Sequence, residues 1–312
     1  MDIFLRSISG ILVILGMILV GFVIGEKGWF DDKSRGLIAK LVTQIALPCY
    51  MLYTITQRFT AADLLKMLPA LRFPALSMVV LLGIATAVAK IFAVRQDRRG
   101  LFISMFFNSN TIFVGLPINQ ALFGDDSIPY VLIYYMCNTT FFWTLGTYLI
   151  QRDGEGEAQF DLKTSLKKVF SPPLMGFLLG LVLVILHIKL PTFLASDLQY
   201  LGNLTTPLSM IFIGLSVSNA GLKQLTLKKD QFLILLGRFV VAPLLMATIV
   251  YWAPLPSLMK QVFIIQSAMP VMTNAPVVAK LYGADSDYAA VMVTETTLAT
   301  MVVIPILMVL MA

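Results

Sequence analysis

Phe107-Asn108-Ser109-Asn110-Thr111-Ile112-Phe113-Val114-Gly115-Leu116-Pro117 lies inside an apolar run from Leu101 to Phe123. A run of that length can cross a bilayer, which needs about 20 apolar residues. Yet it gathers Asn, Ser, Asn and Thr and follows them with Gly and Pro. Proline removes a backbone donor and clashes with the carbonyl four residues earlier, so a helix here should break near Gly115. Irregular backbone at membrane depth survives only where protein buries it or water reaches it. A broken span carrying amides and hydroxyls reads as a binding site; a proline kink glued by Asn side chains is the plainer alternative.

Composition decides the compartment. Of 312 residues, 58% are hydrophobic and 13% charged, with a mean hydropathy of +0.85. Soluble domains carry about 25% charged residues, so the chain is an integral membrane protein. The net charge of +6 comes from bases in short loops between apolar runs, which is what orientation by positive charge produces and not a nucleic-acid surface. No phosphate-cradling glycine loop is present, and Cys49, Cys137 and the single His187 fit neither a disulfide framework nor a metal site. No cofactor or metal is expected. The first apolar run lacks a small-residue cleavage site and is expected to remain as a span.

Ten spans can be marked, at 7–25, 36–56, 69–93, 101–123, 128–150, 171–190, 200–219, 231–253, 258–281 and 288–311. The longest connection, 151–170, contains Asp153-Gly154-Glu155-Gly156-Glu157 and reads as a flexible joint between halves 1–150 and 171–312. Loops after the odd-numbered spans hold sixteen Lys and Arg against six on the other side. That places them in the cytoplasm and both termini outside, in a multi-pass protein of the cell membrane. Five spans per half make the halves face opposite ways. Sliding the sequence by 159 residues lays Pro48 on Pro207, Pro117 on Pro276, Gly124 on Gly283 and Asp126 on Asp285.

The repeat supplies a second interrupted span, Gln266-Ser267-Ala268-Met269-Pro270-Val271-Met272-Thr273-Asn274-Ala275-Pro276. Inverted halves with one discontinuous helix each are the pattern of alternating-access transporters. Half-helix N-termini carry partial positive charge, so two aimed at one place favour an anion. Asn108, Asn110, Thr111, Thr273 and Asn274 are the candidate substrate-binding residues, with Gly115, Pro117 and Pro276 at the crossing.

These residues resemble the auxin efflux carrier family, which includes bacterial organic-acid permeases such as malate and malonate carriers. Asn110-Thr111-x-x-x-Gly115-x-Pro117 is similar to its fourth-span motif. Gln266-x-x-x-Pro270 with Ala279-Lys280-x-Tyr282 is similar to its ninth, and Ala46-Leu47-Pro48 to its second-span proline. Pro270 and Pro276 stand six apart where plant members are expected to have five. The resemblance implies a scaffold of spans one, two, six and seven and a moving domain of the rest. It also implies elevator-like transport of organic anions, often by a homodimer. Gly21-x-x-x-Gly25 and Gly176-x-x-x-Gly180 allow close helix approach, at a dimer seam or inside one chain.

Glu295 lies about 12 Å into the last span at 1.5 Å per residue, deep enough to need neutralising or pairing. It is the candidate for a coupling proton or cation, with a structural carboxyl as the alternative. Arg238, a third of the way into span eight, either snorkels to the cytoplasmic surface or pairs with a substrate carboxylate. Asn138, within Asn138-Thr139-Thr140, together with Thr297 and Arg238, are candidates for the cavity wall. The expectation is an all-α, ten-span 5+5 inverted repeat: a secondary transporter of a small organic anion, a mono- or dicarboxylate, driven by protons or membrane potential. The alternatives are a sodium-coupled symporter of related fold and an anion sensor that moves nothing. Its partners are that anion, a coupling ion, lipid and a second copy; no nucleophile constellation suggests an enzyme.

Overall fold

Helix boundaries are set locally. Asp31 accepts the Ser34 hydroxyl at 2.6 Å and the Ser34 N–H at 2.8 Å, capping the helix that starts the second apolar run. Those bonds hold its carboxyl below the usual carboxylate range. The computed structural model describes residues 2–154, 169–220 and 228–311. Among them all regular structure is helical. Helix α1 is Asp2–Glu26, α2 is Lys33–Arg58 and α3 is Leu68–Ile91. Arg99–Phe107 (α4) and Gly115–Phe123 (α5) flank the first interruption. Helix α6 covers residues 128–153. Pro172–Ile185 (α7), Thr192–Ser218 (α8) and Lys229–Tyr251 (α9) follow. Ser257–Ser267 (α10) and Ala275–Leu281 (α11) flank the second interruption, and Ser286–Met311 is α12.

Among the described residues five helices, α2, α3, α8, α9 and α12, are long and apolar enough to cross a membrane, and Leu12–Glu26 and Pro172–Ile185 are shorter apolar stretches. The expected fourth and ninth spans are each two half-length pieces. A nine-residue helix such as α4 or α5 is only about 14 Å long, less than half a hydrocarbon core. Most of the expected joint at 151–170 lies outside the described residues.

Prolines explain two of three irregular turns. Pro48 and Pro243 stand just after π-helical turns at Val42–Ala46 and Gly237–Val241. A ring at these positions would oppose the carbonyl four residues back; a wider turn gives it room. The third π turn, Phe142–Gly146, has no proline behind it. Pro207 follows an interruption of α8 at Leu204.

Glycine seams bind α1, α2, α7 and α8 into one group. A Cβ on Gly21 would stand 2.3 Å from the Ile211 carbonyl oxygen, and one on Gly214 would stand 2.1 Å from that of Ile18. Across the α7–α2 contact, a Cβ on Gly176 would stand 2.5 Å from the Pro48 oxygen. The glycines at 21, 25, 176 and 180 thus serve contacts within one chain, where the sequence had left a dimer seam open. Helices α3, α4, α6, α9, α11 and α12 share a second core in which Leu81, Phe102, Phe106, Phe142, Ile234, Val278 and Met292 are buried.

Gly214→Val is expected to wedge α8 off α1 and cost about 1–3 kcal/mol or more as overpacking, read as a lower Tm of the detergent-solubilised protein. An unchanged Tm with a smaller particle on size exclusion would assign this seam to contact between copies instead.

Candidate functional site

The chain leaves the α4 helix at Asn108, whose backbone is extended at φ −94°, ψ 144°. Ser109 is then gripped by a side chain acting as a neighbouring strand would. Asn138 of α6 accepts the Ser109 N–H at 2.9 Å and donates to its carbonyl at 2.8 Å. The Asn110 N–H donates to the Pro270 carbonyl at 2.8 Å, joining the two interruptions directly. Gln266 donates to the Thr111 carbonyl at 3.3 Å, adding a second tie. The Val271 N–H donates to the Thr296 hydroxyl of α12 at 3.0 Å. Backbone groups that lipid cannot satisfy are therefore met by neighbouring helices.

Both interruptions lie upstream of their prolines. Residues 108–114 and 268–274 are non-helical, while Pro117 and Pro276 sit in the first turns of α5 and α11. A missing N–H costs nothing there. The sequence placed the break near Gly115; Gly115 instead begins α5, and its role is clearance. A Cβ on it would stand 2.4 Å from Gln266 Oε1.

Arg238 holds the other ends. It is 0% exposed and sits in the π turn of α9, where the bare Cα of Gly237 lies against the Phe106 ring. Its Nε and Nη2 donate to the Met269 carbonyl at 3.0 and 2.8 Å. Nη2 also donates to Ser267 O at 2.5 Å, and Nη1 to Phe106 O at 3.2 Å. Those carbonyls lie at or just beyond the C-terminal ends of α4 and α10, where helices leave acceptors without partners. Both uses expected for Arg238 are corrected: it neither reaches the cytoplasmic surface nor lines the cavity.

A cavity of about 310 Å³ opens beside the joined interruptions. Asn110, Thr111, Thr273 and Asn274, four of the five expected binding residues, line it. The fifth, Asn108, is buried elsewhere and donates to Ser104 O at 3.2 Å, with Gly146 leaving room for its amide. Asn138 is spent on Ser109, and its neighbour Thr139 lines the cavity. Thr297 faces a separate apolar recess with Ile14, Ile118 and Ile304, so its expected place is corrected too. Glu295 is half-buried on α12 and does not border the cavity.

The opposite wall comes from α2 and the start of α7: Thr43, Gln44, Leu47 and 170–173. Two signals for the rest of the wall, beyond Thr139 already noted beside Asn138, were present but unread. Tyr135, Thr139 and Trp143 recur at four-residue steps, one face of a helix, and Thr43-Gln44 is a polar pair just before Pro48. No described side chain on the cavity wall is charged. The Asn110 carbonyl oxygen of the side chain accepts the Phe113 N–H at 3.2 Å, while its Nδ2 is buried without a protein partner.

A family model described as a membrane transport protein matches residues 7–308. The chain belongs to this family. The family is that of the auxin efflux carriers, whose motifs the sequence resembles. An uncharacterized transporter of Methanocaldococcus jannaschii is 28% identical over 305 residues, covering 94% of this chain and 95% of the relative. One from Methanothermobacter thermautotrophicus is 27% identical over 312 residues, covering 97% and 98%. Membership in the membrane transport protein family makes the chain a multi-pass membrane transporter.

Arg238→Met would orphan three buried carbonyls at about 1–3 kcal/mol each, enough to remove most of the stability of the fold. Thermal unfolding in detergent is expected to rank the native protein above Arg238→Lys and Arg238→Met lowest, because an ammonium lacks the guanidinium fork. A methionine variant as stable as the parent would show that the carbonyls do not need the cation.

Proposed function

We propose that this protein is a secondary transporter of a small organic monoanion, bound in the cavity at the crossing of two broken spans and exchanged between faces by an elevator-type motion. One observation carries the reading: residues of both interruptions, Asn110 and Thr111 with Thr273 and Asn274, face a single cavity whose far wall belongs to another helix group. In the ten-span reading, α4 with α5 and α10 with α11 are the fourth and ninth spans. The inverted repeat is supported by Gly124 and Gly283, which match at the 159-residue offset and adopt φ of 72° and 73°. The same offset relates the π turn before Pro48 to the interruption before Pro207. Helices α1, α2, α7 and α8 would be the stationary scaffold, and the group around Arg238 the moving body. By the positive-inside count both termini would lie outside the cell membrane.

The charge of the cargo follows from the wall. A dicarboxylate would bring a second charge into a site whose described side chains are uncharged, at a desolvation cost that hydrogen bonds alone rarely offset. A single carboxylate can take the Asn110 amide, the Thr111, Thr139 and Thr273 hydroxyls and the positive end of α5. Its apolar body would rest on Leu47, Phe113 and Trp143. Protons or the membrane potential would drive the movement, with Glu295 kept as the candidate coupling group away from the substrate.

Asn110→Asp tests the site. Aspartate still accepts the Phe113 N–H but replaces the free donor with a negative charge. Binding of monocarboxylates, followed by thermal shift from each protein's own unliganded Tm and by proteoliposome flux, is expected to weaken about tenfold or more, and the buried carboxylate is expected to lower the unliganded Tm as well. Equal affinity in the variant, or tighter binding of malonate than of monocarboxylates by the native protein, would defeat the proposal. Omitting Na⁺ in the same flux assay separates the sodium-coupled alternative.

A further inference from the structure

Asp125 lies just beyond the C-terminal end of α5, about 14 Å along a nine-residue helix from the interruption that faces the cavity. The left-handed backbone of Gly124 (φ 72°) turns the chain there, and Ser127 fastens the corner by donating its hydroxyl to Gly124 O at 2.6 Å. Three side chains converge on the carboxylate. Arg58, the last residue of α2, pairs with it at 2.6 Å. Gln120 of α5 donates to it at 2.8 Å, and the Tyr50 hydroxyl of α2 donates at 3.3 Å. Gln120 in turn accepts the Thr206 hydroxyl of α8 at 3.0 Å.

Arg58, Tyr50 and Thr206 belong to the helix group α1, α2, α7 and α8. Asp125 and Gln120 belong to the crossing. The network therefore bridges the two groups at one end of the molecule. Beneath it the same groups meet through buried Met51, Leu116 and Ile128 and the Phe113–Phe212 ring pair, with centroids 5.7 Å apart. Farther down they are parted by the cavity, spanned there by the Tyr135–Ser171 hydroxyl contact at 2.7 Å.

An inverted repeat supplies matching positions on the opposite face, and these do not match in chemistry. At the 159-residue offset Asp125 falls on Ala284, Arg58 on Val217, Gln120 on Ala279 and Tyr50 on Ser209. The acid, the cation and the amide are all gone. At these matched positions, among the described residues, the polar fastening is on one face only.

We infer that Asp125, with Arg58, Tyr50 and the Gln120–Thr206 pair, is a one-sided latch that keeps the Asp125 end of the transporter closed and biases it toward the conformation whose cavity opens at the other end. The inference rests on reading α1, α2, α7 and α8 as the stationary body. Opening the Asp125 end requires the carboxylate to leave Arg58 and Tyr50, while Gln120 parts from Thr206. The Arg58 side chain is 47% exposed and that of Asp125 28%, so water can take over these bonds as they break. The latch is therefore releasable, unlike the buried Arg238 contacts.

The test is thiol accessibility in the full chain. Met51 is 0% exposed and lies between Leu47 of the cavity wall and Arg58. Met51→Cys, in a background with Cys49→Ala and Cys137→Ala, is labelled with an impermeant maleimide applied to each membrane face in turn. Asp125→Asn and Arg58→Gln are expected to speed labelling from the Arg58 face by roughly three- to tenfold, given charge-assisted bonds of this exposure. Tyr50→Phe, which removes one hydroxyl and keeps the ring, is expected to give a smaller rise. Unchanged labelling in variants that keep the parental Tm overturns the latch. Faster labelling in a protein that moves no anion upholds the latch and removes the transport reading, so the two fail separately.

Discussion

A helix that stops inside a membrane leaves its last carbonyls facing a medium with no donors. Here two such ends converge on one guanidinium. Each helix end carries about half a negative charge, so the C-termini of α4 and α10 together approach one unit, the charge Arg238 supplies. That balance is why a fully buried arginine is tolerable where a lone cation would cost several kcal/mol. The interaction also dictates geometry: with the C-terminal ends drawn to Arg238, the residues leading into α5 and α11 turn toward the cavity. Asn138 and Thr296 complete the arrangement by serving the freed backbone of each interruption.

The cavity inherits its chemistry from this division. The cation that the sequence offers near the site is consumed by the protein's own backbone, and what remains on the wall is amide, hydroxyl and apolar surface. Polar groups that reorganise little, set beside Leu47, Phe113 and Trp143, suit a guest that is part charge and part hydrocarbon. A wall shared between two helix groups is what the proposed elevator motion requires, since sliding one past the other would change which face of the membrane the guest can reach.

Much of this was legible in the residues. Asn108 to Thr111 and Thr273-Asn274 stand out because polar groups inside an apolar run must be satisfied by something; Gly115, Pro117 and Pro276 signalled a break, but they stand where the helix restarts and not where it stops. What was not legible depends on facing. Asn138 and Thr139 are neighbours in the chain, yet one clamps the backbone and the other reaches the cavity. Thr297 was a candidate for the same wall but faces a separate, largely apolar recess. Arg238 was misread because its depth along α9 suggested a route to water, whereas the turn that carries it aims the side chain inward. Glu295 was weighed for its depth alone, and depth says nothing of which helix face it occupies.

Two of the three π turns among the described residues border the cavity, Val42–Ala46 through Thr43 and Gln44 and Phe142–Gly146 through Trp143, while Gly237–Val241 abuts Phe106 away from it. Each contains one residue more than regular α-helix needs, and at 3.6 residues per turn one residue is a phase step of about 100°. Everything beyond such a step points a quarter-turn or more away from where an unbroken heptad would aim it. Two helices around one pocket can thus each present a lipid-compatible stripe above and below the step while turning, at that single level, a different set of side chains to the cavity.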